Sequence, residues 1–128
     1  MYQNKNRKFR KSLKYAFRGL SYVVRNERNF RIELGVAFFV ILGAFILKLK
    51  LWELIVVFLI TGWILVAEMI NTALERVVDI LEPKIHPFAR LIKDIMAAAV
   101  LFSSLFALTI GGIIFIPHII KLIRSFYG

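Results

Sequence analysis

The sequence predicts an all-α integral membrane protein with one amphipathic interfacial helix followed by three transmembrane helices. Hydrophobic residues make up 59% of its 128 residues, and the mean hydropathy is +0.73. Both values exceed those typical of a soluble globular chain. Long apolar runs follow a basic N-terminal segment, and the length suits a single membrane-embedded domain over residues 1–128.

The N-terminal segment has the pattern of a helix lying in a membrane surface. Between about residues 9 and 24, apolar side chains recur at helical spacing while Lys11, Lys14 and Arg18 fall between them. An amphipathic helix of this kind buries its apolar face among the lipids. The apolar positions are Phe9, Leu13, Ala16, Phe17, Leu20 and Val24.

Three spans are predicted after this helix, at about residues 29–47, 51–81 and 90–120. Asn26 or Asn29 is a candidate cap for the first span. The second is too long for the bilayer, so its C-terminal end should protrude into the cytoplasm.

The third span follows a Pro-rich loop at 82–87. Its small residues recur every four positions, which predicts close helix approach, and Pro117 is expected to bend or end it. The small residues are Ala99, Ser103, Ala107 and Gly111.

The charge distribution predicts the orientation of the chain. Ten of the 18 Lys and Arg residues lie between Lys5 and Arg31, where Glu27 is the only acid. Three spans place this segment and the 82–87 loop on the same side, and the positive-inside tendency makes that side cytoplasmic. The apolar remainder argues against nucleic-acid binding, so we expect a multi-pass plasma-membrane protein with a cytoplasmic site.

Four polar side chains on the second span form the candidate site. Glu68, Asn71, Glu75 and Asp79 lie at offsets that place them on one narrow helix face. Such groups are costly in an apolar segment, so they indicate either a polar seam between helices or a site that binds a cation and handles an alcohol or phosphate.

The cation is predicted to be Mg²⁺. Glu27 and Glu75 should both reach the cytoplasmic boundary, and Mg²⁺ prefers such oxygen ligands. The chain lacks Cys, and His86 and His118 are far apart, which argues against zinc. Neither common glycine-rich phosphate loop is present, so side chains and Mg²⁺ would hold any nucleotide.

Three segments resemble the signature blocks of the prokaryotic diacylglycerol kinase family, in matching order and spacing: residues 26–33, 68–79 and 93–101. The resemblance implies a small membrane kinase of the bacterial inner membrane, which forms a homotrimeric bundle of helices. Such enzymes transfer the γ-phosphate of ATP to a lipid alcohol, with Mg²⁺ as cofactor and sites shared between neighbouring subunits.

The resemblance also implies residue roles. Glu68 would be the general base, supported by Asn71, and Glu27 and Glu75 would hold Mg²⁺ and nucleotide. Glu68 would also contact the lipid substrate, together with Arg31. The remaining ATP contacts implied are Asp79, Lys93, Asp94, Tyr15, Lys84 and His86.

Two lipid alcohols are candidate substrates within this family, undecaprenol and diacylglycerol. Residues 29–31, 71–72 and 97–99 resemble the undecaprenol branch, which makes undecaprenyl phosphate. Residues 34–39 contain no Ser, Thr, Asn or Gln, as suits an isoprenoid chain. The alternatives are a diacylglycerol kinase making phosphatidic acid, or a non-enzymatic membrane protein or transporter subunit. A transporter would hold its polar site near the bilayer midplane.

Overall fold

A computed structural model describes residues 2–81 and 86–128, with side chains for 4–81 and 87–128. The described chain consists of four α-helices and contains no strand: α1 (Tyr2–Asn26), α2 (Arg28–Ile46), α3 (Leu51–Leu81) and α4 (His86–Tyr127). By length and composition, three helical stretches are able to cross a membrane: Arg28–Ile46, Leu51–Leu81 and Pro87–Tyr127. The all-helical prediction with three candidate spans is confirmed.

Helix α3 is the central element, because it packs along both α2 and α4. Its 31 residues correspond to about 46 Å of helix, against about 30 Å of bilayer hydrocarbon. A continuous helix of this length carries the polar stripe beyond the apolar layer, so α3 positions the candidate site.

A single residue separates α1 from α2. Glu27 has extended backbone angles (φ −106°, ψ 109°) and occupies the N-cap position of α2 without a side-chain cap hydrogen bond. The prediction that Asn26 or Asn29 caps this helix is therefore wrong. Asn26 instead donates its amide to the Tyr22 carbonyl of its own helix, at 2.8 Å. We call this one-residue break the elbow.

The turn between α2 and α3 closes the far end of the bundle. Lys48 has a positive φ of 53°, and the amides of Lys48 and Leu49 donate to the carbonyls of Phe45 and Ala44. This is the Schellman arrangement, in which the residue two beyond the cap packs on the last helical turn. Leu49 and Ala44 accordingly share a buried cluster with Val57 and Ile114.

Helix α4 differs from the predicted third span. It extends beyond residues 90–120 at both ends and continues through Pro117 to Tyr127. Of the two outcomes predicted for Pro117, an end of the helix is therefore wrong, and a bend stays a prediction. His86 and Pro87 open the helix rather than belonging to the loop, as suits a proline in a first turn. The other predicted loop residues, 82–85, lie outside the described residues.

The small-residue ridge of α4 borders a groove rather than a tight contact. Ser103 accepts a hydrogen bond of 3.4 Å from the Trp63 indole N–H, and the groove of about 600 Å³ beside them is lined by both helices. A Cβ added at Gly111 would meet no described atom within 4 Å. At that position no neighbouring helix lies close within the described chain, and close approach along the rest of the ridge stays a prediction.

Glu53 and His118 fasten α3 to α4 at the end away from the candidate site. His118 Nε2 lies 2.8 Å from Glu53 Oε2, with both side chains largely buried (18% and 11% exposed). The same carboxylate oxygen accepts the Lys50 amide at 3.0 Å, which is half of a capping box at the start of α3.

Replacing His118 with alanine is expected to lower the midpoint of thermal unfolding by several degrees in detergent. The substitution leaves a largely buried carboxylate without its cross-helix partner, which is more costly than never forming the pair. The measurement is circular dichroism at matched detergent concentration. Thr109→Ala is the control, because that hydroxyl donates only to the Leu105 carbonyl of its own helix. An unchanged midpoint for His118→Ala would refute the prediction.

Candidate active site

The polar stripe of α3 runs from a buried to an exposed environment. Glu68 is 5% exposed, Asn71 and Glu75 are half-buried, and Asp79 is exposed. Asn71 donates its amide to Glu75 Oε1 at 3.4 Å. The stripe therefore offers a sheltered carboxylate at one end and solvent-accessible oxygens at the other.

Glu68 lies within Coulombic range of three other carboxylates. Glu75 is on its own helix, Glu27 is at the elbow and Glu33 is on α2. Carboxylates in this arrangement repel one another unless a bound cation or proton neutralises part of their negative charge. The fold thus brings Glu27, Glu68 and Glu75 of the predicted site into one electrostatic neighbourhood.

Two further polar atoms are buried on the helices that carry the site, and the sequence analysis gave neither of them a role. Glu33 Oε2 and Thr72 Oγ1 are buried without a hydrogen-bond partner among the described residues. Buried polar atoms are nearly always paired. Glu33 was recognisable in principle, because it shares a helix face with Phe30 and Ala37, which are both buried.

Glu27 is engaged by an arginine that the sequence analysis also missed. Arg76 Nη2 lies 2.8 Å from Glu27 Oε1, and Arg76 Nε donates to the Tyr22 hydroxyl at 3.0 Å. Arg76 lies between Glu75 and Asp79 in sequence but off the polar stripe, so the helical pattern of α3 did not single it out. Tyr22 and Glu27 lie on α1 and at the elbow, and only the tertiary fold brings them close to Arg76.

Helix α4 joins the site through Lys93. Its ammonium lies 2.8 Å from Asp79 Oδ1, and Arg76 Nη1 approaches the other oxygen at 3.8 Å. Asp94 is exposed next to Lys93. Lys93 and Asp79, both predicted ATP contacts, therefore lie together at the outer end of the stripe.

Four other predicted site residues lie apart from this cluster or are not described. Tyr15 is 63% exposed on α1, about two turns before Tyr22. Arg31 donates to the carbonyls of Val24 and Arg25 at 2.9 Å each, so it caps the end of α1. Lys84 and the His86 side chain lie outside the described residues.

The carboxylates of the site suit Mg²⁺, which needs few protein ligands, better than a metal ion that is held by protein side chains alone. Among the described residues there is no group of three or more His, Cys, Asp or Glu able to hold a metal ion. Mg²⁺ is commonly bound by one or two carboxylates, with substrate phosphates and waters completing its shell. Glu27 and Glu75 supply carboxylates of this kind, and both act electrostatically on Glu68.

Comparisons with known proteins identify a matching family and similar enzymes. The family described as prokaryotic diacylglycerol kinase matches residues 14–115. The undecaprenol kinase of Bacillus subtilis is 35% identical over 118 residues, covering 92% of this chain and 96% of the relative. A diacylglycerol kinase of a Synechocystis species is 36% identical over 112 residues, covering 87% of this chain and 64% of the relative. The matched range contains every candidate site residue.

Proposed function

Because the chain belongs to the prokaryotic diacylglycerol kinase family and is a lipid kinase, we propose that it phosphorylates undecaprenol with Mg²⁺-ATP. The products are undecaprenyl phosphate and ADP. The observation that carries the proposal is Glu68, a buried carboxylate at the point where an apolar helix acquires a polar face. A lipid hydroxyl comes to rest at that depth, while a nucleotide arrives from water.

Glu68 acts as the general base in this proposal. Its carboxylate takes the proton of the lipid hydroxyl as the hydroxyl oxygen forms a bond to the γ-phosphorus. The bond between that phosphorus and the β,γ-bridging oxygen breaks, and ADP leaves with the bonding electrons. Phosphoryl transfer depends mainly on positioning and charge neutralisation, so a few charged side chains suffice.

Glu27 and Glu75 would hold Mg²⁺, which when bound neutralises phosphate charge. The Asn71 amide supports this role by donating to Glu75 and orienting its carboxylate. Lys93 and Asp79 lie where the phosphates or ribose could be contacted, with Asp94 beside them. Arg31 is the second proposed contact of the lipid substrate, and Tyr15, Lys84 and His86 complete the proposed nucleotide contacts.

The proposed setting is the inner face of a bacterial plasma membrane. Helix α1 would lie in the interface, since Phe9 and Phe17 are exposed on the same helix as the exposed basic residues Arg7, Lys11 and Lys14. Basic segments of this kind favour the cytoplasmic surface with its anionic lipids. The active site would then face the compartment that contains ATP.

A homotrimer is the proposed assembly, as the family resemblance implies. Three spans enclose little of the site, and aromatic side chains of α3 and α4 such as Trp63, Phe102 and Phe106 are exposed in the isolated chain. A neighbouring subunit would cover such surfaces and complete the substrate pocket.

The undecaprenol kinase of Bacillus subtilis, of which this chain covers 96%, supports the choice of undecaprenol. The cytoplasmic half of α2 adds a physical reason, because Leu34, Val36, Phe38 and Phe39 are exposed there without a hydroxyl or amide between them. An isoprenoid alcohol carries no ester groups, so its site needs apolar surface and few hydrogen-bond donors. The Synechocystis relative supports diacylglycerol as the second candidate.

We expect the specificity constant for undecaprenol to exceed that for dioleoylglycerol by about tenfold or more, a difference of about 1.4 kcal/mol in transition-state binding. The measurement is kcat/KM for both alcohols in the same mixed micelles with Mg²⁺-ATP. Reactions without lipid provide the background. A preference for the glyceride would select the diacylglycerol kinase alternative, and no phosphorylation of either lipid would contradict the proposed substrates.

A further inference from the structure

Arg76 connects three parts of the chain that lie far apart in sequence. Its Nε donates to Tyr22 on α1, its Nη2 pairs with Glu27 at the elbow, and its Nη1 approaches Asp79 on α3. The guanidinium carbon also lies 6.0 Å from the centre of the Tyr22 ring, within the range of a cation–π contact. One side chain therefore holds the C-terminal part of α1 and the elbow residue against α3.

Apart from the burial of Val23 and Phe30 and the Arg31 cap, few described contacts fix the elbow. One extended residue joins two long helices, and α1 contacts α2 less extensively than α2 contacts α3 or α3 contacts α4. Val23 and Phe30, on either side of the break, are buried. Arg31 caps α1 but links it only to α2, so among the described side chains Arg76 is what pairs the elbow carboxylate with α3.

Only an arginine can make these contacts together. The guanidinium presents five N–H donors in a rigid planar fork, whereas a lysine presents one compact ammonium. The Nε and Nη2 atoms are a fixed distance apart and bind different partners. The distance between the Tyr22 hydroxyl and the Glu27 carboxylate is therefore fixed as well.

We propose that Arg76 is a positioning residue that docks the elbow on α3 and thereby fixes the position of the Glu27 carboxylate relative to the polar stripe of α3. The proposal rests on the proposed function in so far as Glu27 serves the nucleotide and its metal ion. Arg76 itself need not touch either substrate. Its effect on the reaction passes through the position of Glu27.

The first test measures docking without any substrate. The chain has no cysteine, so Val23→Cys introduces a single thiol at a position that is 6% exposed. We expect its alkylation by a soluble maleimide to be slow, and about tenfold faster with Arg76→Ala, because local opening exposes buried groups. Arg76→Lys should fall between the two, since it keeps the charge but not the fork.

Two controls separate docking from general damage. Ala37→Cys reports on α2 packing away from the elbow, where the native residue is 8% exposed, and its alkylation should stay slow with Arg76→Ala. Arg25→Ala removes an exposed arginine of α1 and should leave the Val23→Cys rate unchanged. If Arg76→Ala also prevents folding, Tyr22→Phe removes one hydroxyl only and should still accelerate alkylation. Equal Val23→Cys rates with and without Arg76 would overturn the proposal.

The second test measures function. We expect Arg76→Ala to raise KM for Mg²⁺-ATP roughly tenfold, as for residues that orient metal ligands, with a smaller change in kcat. Faster alkylation with an unchanged KM would overturn the positioning role and count against Glu27 as a nucleotide residue. Absence of lipid phosphorylation by the unaltered chain would count against the proposed function instead, and would leave the alkylation result standing.

Discussion

Replacing Glu68 with glutamine is expected to lower kcat by roughly 10²- to 10⁴-fold, the usual contribution of a positioned general base, while KM for ATP changes little. Glutamine keeps the size of the side chain and its hydrogen-bonding oxygen but cannot accept the hydroxyl proton. Glu68 is buried beside three other carboxylates, so the substitution also reduces repulsion and should not unfold the chain. Steady-state kinetics with saturating lipid, together with direct ATP binding, separate the two parameters.

Glu53→Gln is the matched control for this prediction. It makes the same chemical change on the same helix, but Glu53 lies at the far end and pairs with His118. Its kcat should stay near that of the unaltered protein even if its melting temperature falls. Parallel losses of kcat and ATP affinity in Glu68→Gln would make Glu68 a nucleotide contact rather than the base.

The helical parts of the fold were predictable because their information is local. Apolar runs and helical periodicity mark the spans, and α3 coincides with the range predicted for the second span. The polar stripe was predictable for the same reason: within one continuous helix, the spacing of Glu68, Asn71, Glu75 and Asp79 fixes their shared face.

Contacts between helices were not predictable in the same way. The pairing of Arg76 with Glu27 depends on the angle at the elbow, and that of Glu53 with His118 depends on the register between α3 and α4. Neither quantity is encoded in a helical repeat. The hydrogen bonds from Arg31 to the α1 carbonyls could not be predicted for the same reason, because they depend on how α1 and α2 meet.

Pro117 lies inside a helix, although proline commonly interrupts helices. A proline removes one backbone hydrogen bond and crowds the preceding turn, which is why an end or bend was expected. Membrane helices tolerate proline because neighbouring groups and local adjustments satisfy the freed backbone groups. Helix α4 accordingly continues to Tyr127.

Glu75→Gln and Glu27→Gln are each expected to weaken the apparent affinity for Mg²⁺ by roughly 10- to 100-fold in the presence of ATP, and to remove most activity at limiting Mg²⁺. Glutamine is informative at Glu27 because its carbonyl oxygen can still accept the Arg76 hydrogen bond, so the elbow should remain docked while the charged ligand is lost. Mn²⁺ binding to the ATP-loaded protein, followed by electron paramagnetic resonance, measures the metal independently of turnover. If both carboxylates hold one ion, the double variant should lose less than the sum of the two single losses in binding free energy. Near-normal activity of either variant at limiting Mg²⁺ would remove that residue from the metal site.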